Sequence, residues 1–159
     1  MLKLATEKLH LEYYTSTDAT ANTISVHLTG RNGIEWRRVL STPTLTTPTL
    51  LLPQNGKYLF VAYRFDVYAL DAHTGDILWQ HEFNEPIWTT YLLDDEGLLI
   101  HLELSVICLN ADGRERWRFN HSEIITQITL QDQRLLVQDF DERQFVLDMT
   151  TGYHTGRSA

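Results

Sequence analysis

The chain has one cysteine and no long apolar run, and each scarcity removes a class of protein. With Cys108 alone, no intrachain disulfide and no multi-cysteine metal site can form, which suits a reducing compartment. No apolar stretch approaches the roughly 18 residues of a membrane helix. The opening MLKLATEK lacks the apolar segment of a secretory leader. These features predict a cytoplasmic protein with no membrane insertion. Basic residues are also few: 13 Lys and Arg stand against 21 Asp and Glu, a formal net charge of −8. Affinity for phosphate backbones comes mainly from basic side chains, so no nucleic-acid partner is expected. An acidic surface serves solubility and, among proteins, favours a basic partner.

Helical patterning is missing too. No segment of about 11 or more residues keeps a 3.6-residue apolar period without a Gly, Pro or Asx interruption. What the sequence does contain is short Val/Ile/Leu/Thr runs and 11% aromatic residues, four Trp and seven Tyr among them. These are strand formers. The length of 159 residues fits one domain, residues 1–159.

The runs recur. Segments 67–79 (VYALDAHTGDILW), 106–117 (VICLNADGRERW) and 145–152 (FVLDMTTG) align, with a weaker copy at 26–36 (VHLTGRNGIEW). Gly33, Gly75, Gly113 and Gly152 follow one another at 42, 38 and 39 residues, and Trp36, Trp79 and Trp117 at 43 and 38. A period of about 40 residues is that of one four-stranded propeller blade. The third repeat predicts strands at 87–93, 98–103, 106–109 and 115–119; the second at 46–52, 58–63, 67–70 and 77–82; the fourth at 124–130, 135–139 and 144–147. Asp71, Asn110 and Asp148 close the third strand of a blade, where an Asx side chain can bond backbone N–H groups ahead of it. The glycine that follows fits a hairpin position needing positive φ. In the first repeat, 9–14 fits an opening strand and 16–21 (STDATA) reads as a loop. In the last, 153–159 is too polar to predict an outer strand. The fold class is therefore all-β, with about four propeller-type blades: a four-bladed ring or half of an eight-bladed one.

The run 68–79, YALDAHTGDILW, resembles the repeat of the pyrroloquinoline-quinone-type β-propellers, whose signature is Ala-Leu-Asp-Ala-x-Thr-Gly-x-x-x-Trp. The likeness extends loosely over residues 24–152. In the quinoprotein dehydrogenases of that family an eight-bladed ring holds the quinone and a calcium ion; other members keep the blades as non-catalytic scaffolds. The dehydrogenases' adjacent cysteine pair has no counterpart beside Cys108, and no position here matches their calcium ligands or catalytic Asp. The resemblance implies the fold, not the cofactor, and no quinone or metal is expected.

No catalytic, cofactor-binding or metal-binding residue is singled out. His10, His27, His73, His81, His101, His121 and His154 show no HxH or HExxH spacing, and surface or packing roles are expected. Asp94, Asp95 and Glu96, and the cluster 139–142, sit between strands and read as hydrated hairpin turns rather than calcium loops. Arg114, Arg116 and Arg118 alternate on an outer strand, opposite Glu115, Trp117 and Phe119; edge protection is expected, a small anionic site being the other reading. Cys108 lies in an apolar strand and reads as core. Trp79 and Trp117, at one per repeat, read as inter-blade packing rather than ligand stacking. With Leu70, Ile100, Leu109, Val137 and Leu147 they form the expected core.

The leading functional expectation is a non-catalytic, protein-interacting scaffold, not an enzyme. Its narrower form is a small acidic antidote that masks a basic toxin. The rival is a small-ligand or enzymatic propeller with a pocket at the ring or subunit interface. Four repeats can close as a small ring, stay open, or pair as a homodimer sharing an eight-bladed ring; the imperfect ends favour the homodimer, with 2–5 lending a strand to the partner.

Overall fold

The computed structural model describes residues 9–18, 21–30, 34–42, 46–54 and 56–157. They form fifteen strands and, among the described residues, no helix. The chain divides into two compact units, Met1–Gln80 and His81–Ala159.

The first unit opens with a three-stranded antiparallel sheet of β1 (Leu9–Asp18), β2 (Ala21–Gly30) and β3 (Glu35–Thr42). A four-stranded meander follows: β4 (Thr49–Leu51), β5 (Tyr58–Tyr63), β6 (Asp66–Asp71) and β7 (Ile77–Glu82). Ile24, Val26, Leu28 and Leu40 of the first sheet pack on Leu50, Leu59, Val61, Tyr68 and Leu70 of the second. The second unit repeats the four-stranded meander twice. β8 (Ile87–Leu92), β9 (Leu98–Leu102), β10 (Ser105–Leu109) and β11 (Glu115–Asn120) form one sheet; β12 (Ile125–Gln131), β13 (Arg134–Asp139), β14 (Gln144–Asp148) and β15 (His154–Arg157) form the other. Leu99, Val106 and Cys108 pack against Ile125, Ile128, Leu135, Val137 and Leu147. These successive antiparallel meanders are propeller-type blades.

Position within a blade explains the local sequence. The middle strands β9 (LLIHL) and β10 (SVICL) are buried at every residue. A strand covered on both faces reads as an apolar run rather than an alternation. The outer strand β11 (ERWRFN) is largely exposed, with Trp117 its one buried residue. The turn from third to outer strand behaves as the repeat requires. Asp71 Oδ1 accepts from the backbone N–H groups of His73 (2.7 Å) and Thr74 (3.0 Å), and Asp148 Oδ1 from those of Thr150 (3.0 Å) and Thr151 (2.9 Å). Gly75, Gly113 and Gly152 have φ of 72°, 84° and 70°. Asn110 departs from this. Its turn is one residue shorter, and its side chain accepts from Arg116 Nε (2.5 Å) instead.

Three expectations change. Residues 16–18 continue β1 as strand rather than loop, because β2 runs antiparallel beside them to Asp18↔Ala21. β1 also holds the second-strand place of its blade, not the first: β2 pairs with it on one side and with the Trp-bearing β3 on the other. The last blade does have an outer strand, β15, paired to β14 through Phe145↔Arg157, Val146↔Gly156 and Leu147↔His154. Gly33 and residues 2–5 lie outside the described residues.

Candidate functional site

The repeated tryptophans lock blades together. Trp36 Nε1 donates to the Ala72 carbonyl (2.8 Å), and Trp117 Nε1 to that of Met149 (2.8 Å). Each carbonyl belongs to the residue just after the Asp of the next blade's turn. Each indole then lies flat on that turn's glycine. A Cβ added at Gly75 would stand 2.5 Å from the Trp36 ring, and one at Gly152 2.6 Å from the Trp117 ring. Both indoles are buried, so neither is a ligand platform. Trp79 packs against Phe60 at a tilt (ring centroids 5.8 Å apart, 41° between planes) but is half-buried, not buried as expected. Leu70, Ile100, Leu109, Val137 and Leu147 are buried as expected.

The arginine stripe is exposed, but each member is neutralised. Arg114 pairs with Asp112 (3.0 Å), Arg116 with Asp95 (2.5 Å) and Arg118 with Glu115 (2.9 Å). Glu115 sits beside Arg118 rather than opposite it because of a β-bulge. Trp117 pairs with Cys108 and Glu115 with Leu109, leaving Arg116 as the extra residue. One extra residue reverses the facing of everything beyond it. Burial pushes the Asp95 carboxyl up, but bonds from Arg116 and the Gly97 N–H outweigh it and hold it below its ordinary value. Cys108 is fully buried, and burial pushes its thiol up to about 11.

Among the described side chains, the histidines lie at the surface or pack against neighbouring groups. His73 is exposed on its turn. His27 lies 3.2 Å from Glu35, and the His154 ring lies against Phe145. Among the described residues no cluster of three metal-ligating side chains occurs. His10 lies outside the described side chains.

One rim of the second unit stands apart. Here the β9–β10 and β13–β14 hairpins and the links entering β8 and β12 are sewn together. The Glu85 carboxylate accepts from the Leu104 N–H (2.6 Å) and Ser105 Oγ (3.2 Å). Ile125 N donates to Glu103 O, His121 N to Leu104 O and Phe140 N to Ile124 O, each at 2.8 Å. Asp139, expected in a hydrated turn, is 1% exposed. Its carboxylate holds His121 Nε2 (2.9 Å) and Arg143 Nε (2.8 Å). Burial pushes this carboxyl up, and those bonds more than offset it, leaving it below the ordinary value. The frame keeps two apolar side chains out in solvent, Leu104 at 37% and Phe140 at 70% exposure. Glu103, Asp141 and Glu142 adjoin them in sequence and Glu123 precedes Ile124, whose carbonyl holds Phe140 N, while the rim's Arg143 is occupied by Asp139 and Asp141. The acidic cluster was legible in the sequence; the apolar tips were not weighed there, although an aromatic residue in an acidic turn is the available signal.

Below this rim, between β8 and β12, lies an open cleft of about 470 Å³ whose lining includes Trp88, Tyr91, His101 and Gln127.

No family model matches the chain, and no curated protein matches it. Solved structures do. The chain is similar to BamB from Moraxella catarrhalis (TM-score 0.60, 17% identity, 91% of this chain and 47% of that one). It is similar also to dihydro-heme d1 dehydrogenase NirN in complex with DHE (0.64, 15%, 95% and 37%) and to HIRA(644-1017) (0.62, 12%, 97% and 53%). The chain spans about half, or less, of the length of each. BamB and NirN are β-propeller proteins, and at these identities the likeness is one of fold.

Proposed function

We propose that the chain is a non-catalytic protein-interaction scaffold of the quinone-free, pyrroloquinoline-quinone-like kind, docking a basic protein partner on the acidic rim of its second unit. The observation that carries this reading is the pair Leu104 and Phe140, exposed on a hydrogen-bonded frame whose loops also carry Glu103, Glu123, Asp141 and Glu142. Exposing apolar area costs roughly 25 cal/mol per Å², and a frame that maintains that cost suits a surface covered by a partner. The carboxylates on these loops select a partner of opposite charge and speed its encounter. Propeller blades present successive hairpins on one rim, which suits this use. A basic toxin masked by an antidote is one partner of that chemistry. A cytoplasmic location belongs to the same reading.

Co-purification from the source cells, comparing the native chain with Leu104→Asp and Phe140→Asp, tests it. The expected result is a stoichiometric basic partner that both substitutions release and that added salt weakens. A partner retained by both variants rejects the rim.

A second copy of the chain is the other partner proposed. The face of the last blade turned away from β8–β11 carries Leu136, Val146 and Gly156 where the preceding blade carries Leu99, Cys108 and Trp117. Leu99 and Cys108 are fully buried, whereas Leu136 and Val146 are half-buried and a Cβ at Gly156 would meet open space. That face supports pairing into a homodimer.

A further inference from the structure

We propose that the cleft between β8 and β12 binds a neutral, hydroxyl-rich ring, a sugar residue, on the exposed face of Trp88. The site is independent of the rim reading and begins with a tryptophan the repeat does not explain. Trp36, Trp79 and Trp117 recur with the blade period, and Trp88 does not. It is the extra residue of a bulge, where the β8–β9 register shifts between Ile87 and Thr89. The neighbouring blade bulges at the matching place, between Ile125 and Gln127. Bulges redirect side chains, and these two flank the cleft. Trp88 is left 45% exposed.

The indole is braced from behind. The His101 ring lies 5.5 Å from it at 56°. His101 is itself buried, with Nε2 2.9 Å from the Ile125 carbonyl and Nδ1 3.4 Å from Thr89 Oγ1. The Ile125 carbonyl accepts a hydrogen bond from Nε2, which fixes the ring's orientation behind the indole. Burial pushes the imidazole's pKa down, in favour of its neutral form. A fixed aromatic face is thus offered at little conformational cost.

The chemistry of the lining selects the ligand. It contains no Asp, Glu, Lys or Arg, so phosphates, carboxylates and cations find no counter-charge there. It does include Thr89, Tyr91 and the exposed Gln127, whose side chains carry hydroxyl and amide groups. A flat aromatic face next to neutral donors and acceptors matches a ring with an apolar face and a hydroxyl edge. A volume of about 470 Å³ falls within the small-molecule range and accommodates one or two such rings.

The test is NMR titration of the whole chain, following the Trp88 indole N–H and Gln127 amide signals. Glucose, galactose, N-acetylglucosamine and their linear trimers serve as probes up to about 20 mM, since a weak single-ring site has a millimolar dissociation constant. The expected result is a saturable shift of both signals with at least one probe. Trp88→Ala should weaken binding about tenfold or more, equivalent to 1.4 kcal/mol. Trp88→Phe should keep part of the affinity, Gln127→Ala should weaken it severalfold, and Phe140→Asp should leave it unchanged. A trimer bound well above its monomer identifies a glycan; equal affinities identify a free sugar. The proposal is overturned if no saccharide moves the Trp88 signal, if Trp88→Ala and Gln127→Ala both bind as the native chain does, or if only phenol and indole bind. Phenol and indole would mark a pocket for a partner's aromatic side chain.

Discussion

The Trp117 indole rests on Gly152 and donates to the Met149 carbonyl at 2.8 Å, and Trp36 makes the same pair of contacts with Gly75 and Ala72. One residue type in one blade thus reads two features of the next: a glycine with positive φ and the carbonyl just after the turn's Asp.

Gly152→Ala is therefore expected to destabilise the second unit strongly. Its φ of 70° strains any L side chain, at about 1–3 kcal/mol. Its new Cβ would also meet Trp117 backed by buried neighbours, adding about 1–3 kcal/mol of overpacking. Trp117→Ala should cost about 3–5 kcal/mol. Gly156→Ala, in open space with no positive φ, is the control and should change stability by less than about 0.5 kcal/mol at a concentration low enough to keep the chain monomeric. Urea denaturation of the three variants measures this, and equal costs at Gly152 and Gly156 would refute the interlock.

Asp139 should govern part of the acid limb of stability. Its carboxyl lies below the ordinary value of 3.8 in the folded chain. Its contribution is therefore fully present above the unfolded value and is lost as pH falls through the lower folded value. In Asp139→Asn, unfolding followed from pH 5 down to about pH 2 should show a shallower loss than in the native chain. The variant should also start less stable at neutral pH, because His121 and Arg143 lose a charged acceptor. Identical acid limbs would show that Asp139 is not held as described.

Cys108 should be inert while the chain is folded. Its thiol is fully buried and pushed up to about 11 by that burial, and the thiolate is the reactive form. An aromatic disulfide reagent at pH 8 should leave the native protein almost unlabelled and label one thiol promptly in guanidinium. Fast labelling of the native protein would mean that the β9–β10 core opens readily.

Much of this architecture was legible because the blade imposes strong local requirements. The β5 and β7 bounds, Tyr58–Tyr63 and Ile77–Glu82, coincide with the expected runs, since Asx and Gly turns punctuate them. β15 was missed because Gly156 stands where the repeat has Trp, which removes the outer strand's one apolar marker. The Glu115 and Arg118 pairing was hidden by a bulge, and strict alternation places those residues on opposite faces. The same cause hid Trp88, whose exposure depends on a register shift that no period records. Asp139 read as solvated because its partners, His121 and Arg143, come from a neighbouring strand end and from its own turn.

The proposed homodimer makes the last prediction. Leu136 and Val146 sit opposite each other on β13 and β14, on the side of the sheet turned away from the Leu135, Val137 and Leu147 core. Apolar side chains on such a face associate when a matching surface is present, and a two-fold pair gives each copy the same contact. Light scattering at micromolar concentration should give twice the 18.5 kDa of the chain, with dissociation on dilution. Leu136→Glu combined with Val146→Glu should yield the monomer, because two carboxylates buried against a copy would lack counter-charges. Circular dichroism should show the variant still folded, as both positions lie outside the core between the two blades of the second unit. A native chain that remains at 18.5 kDa across the concentration range rejects pairing through this face.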